Sequence, residues 1–401
     1  MKRPMSLCKR ICIGMLVTLT LLASSGCRIT TSVTQTKEGG NVNFPFALPS
    51  STPLICPNDQ GDGQGPFVSE DATRLIYQGK PLKLSGYAFY PDKIGGSSAW
   101  YKPGFTNYID YILDMGAQAG QNLIRPTDFW GTHYHDQKQH DVTIWKNLDY
   151  LVCAAKQRGI FVAMDVSAFG HFLVSQGRDP YDAGNWITFL DAVGRHYVNQ
   201  SSIAFYSILG EPPPPKNPAA MNKIVEFYRA VTGELRKADG KHLITAGAFN
   251  HMEEETPQTP WWQNIYSLPN NDIVAFKTYS LDDLNLIPKI SAFAKGLGKP
   301  LVDEEFGLPQ SMGDASNTGE VYNNLQTSRA QFYEDVYSIG EQAGVVGFAF
   351  WDLGSDIRGN SYQVNPNTPA VWQVILRYAP DKPTAASTAY AALRWRLAHH
   401  Y

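Results

Sequence analysis

The chain has 401 residues and an ordinary apolar share of 43%, enough to bury a large core in one α/β domain. Its net charge of −3 removes any electrostatic case for nucleic acid or an anionic membrane surface as partner. Aromatic residues reach 12%, with nine Trp and 21 Tyr, a supply that suits core packing and also flat, partly apolar ligands such as sugar rings.

The N-terminus reads as a targeting segment. Lys2, Arg3, Lys9 and Arg10 precede an apolar run over 11–22 that is short for a membrane span. The stretch LLASSGC then resembles a bacterial lipoprotein signal, which implies lipidation at Cys27, although Ser24 stands where an aliphatic residue is usual. We therefore expect residues 1–27 to be a signal segment and the protein to be exported, as a cell-surface lipoprotein or secreted. Membrane attachment is expected only through that anchor. Of five Cys, only Cys56 and Cys153 lie beyond this segment. One disulfide is open to them, but the apolar helical pattern around Cys153 favours a buried thiol. Residues 28–66, rich in Thr, Ser, Gly, Asn, Gln and Pro, read as a flexible tether, and 67–401 as a single domain.

Order is expected from Phe67, with a small hairpin turning at Gln78-Gly79-Lys80-Pro81 and a first strand at about Leu82–Phe89. Helices and strands then alternate. Helices are predicted near 106–119, 144–158, 185–198, 221–238, 286–297, 327–342, 369–378 and 388–399. Further strands are predicted at 122–125, 160–165, 203–209, 242–246, 273–277, 300–304 and 345–351. Eight strands with helical connections predict a parallel (β/α)8 barrel, a TIM barrel. A doubly wound sheet is disfavoured, because SGYAFYP after the first strand is not a Gly-rich phosphate turn.

In such a barrel the polar residues at C-terminal strand ends converge on one mouth. Those ends supply Tyr87 or Tyr90, Arg125, Asp165, Glu211, Asn250, Tyr279, Glu305 and Trp351. Glu211 ends the apolar strand FYSILG and is followed by four prolines that forbid a regular continuation. Glu305 ends the strand in KPLVDEEFG. A period of two puts Asp303 and Glu305 on one side of that strand and Glu304 on the other. Two Glu on the fourth and seventh strands would face each other, as a glycoside-cleaving pair requires.

These pieces, with GQNLIRP, GIFVAMD, ILGEP, EEFG and GFAFWDL, resemble glycoside hydrolase family 5, closest to its β-mannanase-like and cellulase-like members, over about residues 67–380. The resemblance implies a retaining enzyme on β-linked polysaccharide or oligosaccharide, β-1,4-mannan or β-glucan above all. It makes Glu211 the acid/base, Glu305 the nucleophile, Arg125 the partner that keeps Glu305 ionised, Tyr279 its hydroxyl neighbour, and Trp351 the platform under the sugar. No cofactor is expected, and a monomer is. The chain departs from the family at Gly210, where an Asn that binds the sugar 2-hydroxyl is usual, and at Lys277, where a His is common. Asn250 and Asp165 are candidates to compensate for the first. His133 and His135 in TDFWGTHYHD could supply imidazoles, since no third ligand at metal spacing follows them. Trp100, Phe129, Trp130, Trp261 and Trp262 are loop aromatics placed to stack on sugar or to pack on the barrel wall. The Gly210 departure also raises an alternative, a non-catalytic carbohydrate-binding lipoprotein on a degenerate barrel.

Overall fold

The structure, a computed structural model, describes residues 48–50, 52–57, 65–91, 96–127, 129, 142–249, 252, 260–309, 327–354 and 362–380. The predicted signal segment with Cys27, the helix over 388–399, and Trp130, His133, His135 and Asn250 lie outside the described residues.

Three short strands, β1 (Ser69–Asp71), β2 (Arg74–Tyr77) and β3 (Lys80–Leu82), form an antiparallel sheet. Eight parallel strands follow: β4 (Leu84–Phe89), β5 (Leu123–Pro126), β6 (Phe161–Asp165), β7 (Ile203–Ser207), β8 (Leu243–Thr245), β9 (Val274–Thr278), β10 (Leu301–Phe306) and β11 (Val345–Phe350). Their order is β8-β7-β6-β5-β4-β11-β10-β9, and a parallel bridge from Phe249 to Phe276 joins the two edges. This is the (β/α)8 barrel expected from the alternation of strand and helix.

The helices are α1 (Thr106–Gln118), α2 (Thr143–Gln157), α3 (Ala168–Ser175), α4 (Ile187–Tyr197), α5 (Pro218–Ala238), α6 (Trp261–Tyr266), α7 (Leu281–Leu297), α8 (Arg329–Ala343) and α9 (Pro369–Tyr378). Sequence periodicity misses α3 and α6, because both are too short to show a repeating apolar stripe. Caps explain several starts. Asn217, Ser280 and Ser328 each accept a backbone N–H of the first helical turn that follows, at α5, α7 and α8.

Strand alternation sorts the core into two parts. Leu84, Leu123, Phe161, Ala163, Phe205, Leu243 and Val302 pack inside the barrel, joined by Leu75 and Val68 of the N-terminal sheet region. Ile124, Val162, Met164 and Tyr206 belong instead to the larger cluster between strands and helices. Leu84, Leu123, Phe161 and Leu243 each begin a strand, so β1–β3 close the N-terminal end of the barrel. The C-terminal end is left for a site.

Two expectations need correction. Cys153 is not a free thiol but is disulfide-bonded to Cys56, 97 residues away in sequence. Part of the predicted flexible tether is also held in place. The backbone N–H of Leu54 donates to the His196 carbonyl at 2.7 Å, and the Gln200 side chain donates to the Leu54 carbonyl at 2.5 Å. The missed signal was composition: polar, Pro-rich sequence describes a segment without regular structure equally well whether it is tethered or loose.

Candidate active site

At the C-terminal barrel mouth lies a cleft of about 360 Å³, lined among others by Tyr90, Arg125, Asp165, Glu211, Lys277, Glu305 and Trp351. Each of these residues sits at or just past the end of a strand. On β5, Leu123 faces the barrel interior and Ile124 the helices, so Arg125 returns to the interior one step nearer the mouth. The same alternation carries Asp165 inward at the end of β6.

β10 breaks the alternation. Asp303 pairs with Phe276 and Glu305 with Lys277, so two residues of β10 step past one of β9. The pairing with β11 shows the same extra residue. Such a bulge turns two consecutive side chains to one face. Glu304 and Glu305 therefore both reach Arg125, while Asp303 accepts a bond from Thr278 Oγ1 at 2.7 Å. This overturns the expectation that Asp303 and Glu305 share a side with Glu304 opposite. A period of two holds only while the ladder is regular.

Around Glu305 the polar network is dense. Arg125 Nη1 donates to Glu305 Oε2 at 2.6 Å, and Tyr279 Oη to Oε1 at 2.5 Å. Lys277 Nζ donates to Oε2 at 2.9 Å and to Glu211 Oε1 at 2.9 Å. Arg125 Nη2 meets Asp165 at 2.5 Å, and its Nε lies 3.3 Å from Glu304 without a hydrogen bond. Burial by itself would raise the Glu305 pKa, but the Lys277 and Arg125 cations and the Tyr279 hydroxyl outweigh it and hold the carboxyl at about 2. Glu304 goes the other way: burial dominates and lifts it above the ordinary range, against the opposing pull of Arg125. Burial likewise opposes charge on Lys277, yet the two carboxylates raise its pKa. Glu305 is thus an ionised, buried carboxylate in contact with two cations. Glu211 is half exposed, its side chain open to the cleft.

The Glu211 backbone is in the left-handed region, with φ 56°. This conformation is uncommon for a side-chain-bearing residue and costs on the order of 1–2 kcal/mol. It is held between two anchors: Glu211 N–H donates to the Ala248 carbonyl at 3.1 Å, and Pro212 follows directly.

A family model described as cellulase, glycosyl hydrolase family 5, matches residues 76–355. The chain belongs to glycosyl hydrolase family 5. No curated protein matches it. Among solved structures it is similar to the endo-1,4-β-D-mannanase of Thermotoga petrophila, with TM-score 0.56 and 17% identity over 74% of this chain and 99% of the other. It is also similar to a family 5 mannosidase of Rhizomucor miehei, with TM-score 0.56 and 15% identity over 83% and 100%. The endo-1,4-β-mannanase of the same organism gives TM-score 0.56 and 13% identity over 77% and 98%. At such identities these likenesses show the shared barrel alone.

Within this family 5 barrel the structure brings together Glu211, Glu305, Arg125, Asp165, Tyr279 and Trp351. Of the two tyrosines at the first strand end, Tyr90 lines the cleft and lies against Trp351 with ring centroids 6.1 Å apart. Tyr87 points away, its hydroxyl donating to the Ile112 carbonyl of α1 at 3.3 Å. Trp261 does not join the site. It is fully buried, with its ring stacked on Phe249 at 5.5 Å. Trp100, Phe129 and Trp262 are buried as well. Trp100 packs against Phe89, Phe105 and Phe129, and Trp262 against Phe293, so these rings fill the space between elements and do not face the cleft. Asp165 cannot stand in freely for the missing amide at position 210, since its oxygens serve Arg125 and the Ser167 N–H. His171 was missed, because it lies on the unpredicted α3, and it lines the cleft.

Gly210 has a geometric cause. A Cβ there would lie 2.8 Å from the Ala248 carbonyl oxygen. A Cβ on Gly247, itself at φ 121°, would lie 2.7 Å from Gly210 N. The segments after β7 and β8 approach so closely that neither position accepts a side chain.

Proposed function

We propose that the protein is a retaining β-glycoside hydrolase in which Glu305 attacks the anomeric carbon and Glu211 acts as acid, then base. One observation carries the stereochemistry. Lys277 Nζ lies 2.9 Å from an oxygen of each glutamate, so those two oxygens are at most about 5.8 Å apart, twice that distance. Between carboxyl groups, retaining pairs sit roughly 5–5.5 Å apart and inverting pairs roughly 6.5–9.5 Å, the latter leaving room for a water; two carboxylates close enough to share one ammonium favour the shorter class. The roles follow from environment. Glu305, buried and kept ionised, suits the nucleophile. Glu211, open to the cleft, suits proton exchange with the leaving group and then with water.

The substrate class we propose is β-1,4-linked mannan or glucan. The mannanase-like barrels above support it, as does the open aromatic pair of Tyr90 and Trp351 at the cleft wall. Export belongs to the same reading, supported by the N-terminal segment and by a disulfide of the kind that persists in oxidising compartments.

The test is Glu211→Gln and Glu305→Gln assayed on β-mannan, soluble cellulose derivatives and aryl β-glycosides. We expect kcat to fall roughly 10²–10⁴-fold for either variant. Proton NMR of the first products should show the β-anomer. Full activity in both variants, or a first product of inverted configuration, overturns the assignment. Oligosaccharide binding with no turnover in the unmodified protein would instead favour the carbohydrate-binding alternative that Gly210 raises.

A further inference from the structure

Gly210 leaves no side chain to hold the hydroxyl beside the reacting carbon, and a Cβ there would lie only 2.8 Å from the Ala248 carbonyl oxygen. A donor for that hydroxyl has to come from another strand. It must lie close to the nucleophile, because the carbon under attack and the carbon bearing the 2-hydroxyl are bonded neighbours. It must also be held rigidly, because hydrogen bonds to the 2-hydroxyl act by strengthening in the transition state.

Lys277 meets both conditions. Its ammonium has three donor hydrogens. Among the described residues two are used, one on Glu305 Oε2 and one on Glu211 Oε1, each at 2.9 Å. The side chain is 7% exposed, and that remaining surface borders the cleft. Two carboxylates therefore fix the nitrogen between the attacking and proton-donating groups at the cleft wall, with one hydrogen left over. Arg125 cannot take this role, since its guanidinium is turned to Asp165, Glu304 and Glu305.

We propose that Lys277 is the residue that binds the sugar 2-hydroxyl, donating its third hydrogen to it as Glu305 attacks. The inference rests on the assignment of Glu305 and Glu211 above. It makes the bare backbone at position 210 and the lysine at position 277 complementary: the donor stands on β9 and not at the end of β7. The ammonium keeps its charge and all three hydrogens throughout, so no proton transfer is required of it.

The experiment uses 2,4-dinitrophenyl β-D-mannoside and β-D-glucoside together with the one 2-deoxy sugar glycoside that both become when the 2-hydroxyl is removed. For the full chain and for Lys277→Met, the ratio of kcat/KM with and without the 2-hydroxyl is measured. That ratio does not depend on how much of a variant is folded. Loss of a charge-assisted hydrogen bond should shrink it about tenfold or more in Lys277→Met, while Lys277→Gln, which keeps a donor, should retain part of it. An unchanged ratio in Lys277→Met overturns the proposal even if the rate itself falls, since a merely electrostatic lysine would slow both substrates alike. Where turnover is too slow to read, calorimetric binding of an iminosugar and its counterpart lacking the same hydroxyl gives the corresponding ratio of affinities, which should shrink in Lys277→Met in the same way. A failure of the carboxylate assignment would look different: Glu305→Gln would keep activity, whatever the lysine ratio.

Discussion

At the scale of single residues, the chemistry of this site is decided by what surrounds Glu305. A buried carboxylate on its own would hold its proton. Two cations and a phenol in contact reverse that and leave the carboxyl at about 2, against an ordinary 4.5. The consequence for stability has a definite sign. An acid whose pKa is lowered by folding contributes stability above its unfolded pKa and loses it as pH falls through the folded value. We therefore expect the melting temperature to drop between about pH 4.5 and about pH 2 partly through Glu305. Glu305→Gln should flatten that part of the curve when unfolding is followed by circular dichroism across the window. A Glu305→Gln curve as steep as the parent's would show that the carboxylate is not held by its cations. Glu304 and Asp303, both raised by burial, act in the opposite sense and are common to both proteins in this comparison.

At the scale of elements, three local irregularities build the mouth. The bulge in β10 puts Glu304 and Glu305 on one face. The positive φ of Glu211 turns the chain at the end of the fourth barrel strand. The close approach of the β7 and β8 ends excludes any side chain at 210. The last of these makes a prediction about repair. Restoring the family's usual residue with Gly210→Asn should not raise activity. It should lower stability by about 1–3 kcal/mol, as over-packing does, because the new Cβ meets a backbone carbonyl that cannot swing aside. Thermal melting and kcat/KM measured together check this. An unchanged melting temperature with a gain in rate would mean that the two loops separate easily. Strands and long helices were legible from alternation and from the apolar stripe, and their ends agree with the sequence reading to within a few residues at most positions. These three irregularities were not. A bulge is a property of a pairing between strands, and a close approach is a property of two segments 37 residues apart.

At the scale of the whole molecule, one end of the barrel is closed by the N-terminal sheet and its outer wall is clasped by residues 48–50 and 52–57. His196 shows the clasp well: Nδ1 lies 2.9 Å from the carbonyls of Ser50 and Thr52, while Nε2 lies 2.9 Å from Asp149 Oδ1. The Cys56–Cys153 disulfide ties this segment to α2. Replacing both cysteines by Ala should lower stability by about 2–4 kcal/mol and leave kcat/KM on aryl glycosides unchanged, because neither residue borders the cleft. Reductant added to the parent should move its melting temperature toward that of the variant. A rate that fell in step with stability would show that the clasp reaches the mouth.

The sequence by itself determined the barrel, the two glutamates at the fourth and seventh strand ends, and the Arg, Tyr and Trp expected beside them. Strand alternation, strand punctuation and the residue type at each strand end are local properties, while the expectation that the Arg, Tyr and Trp stand beside the glutamates came from the resemblance to the family. Only the tertiary structure decided that Trp261 packs inside, that Cys153 is paired, why position 210 must be glycine, and that Lys277 bridges both carboxylates. Each of these depends on which distant atom occupies the neighbouring space. In sequence Lys277 is a departure from a pattern; in the folded barrel its ammonium lies within 2.9 Å of both acids.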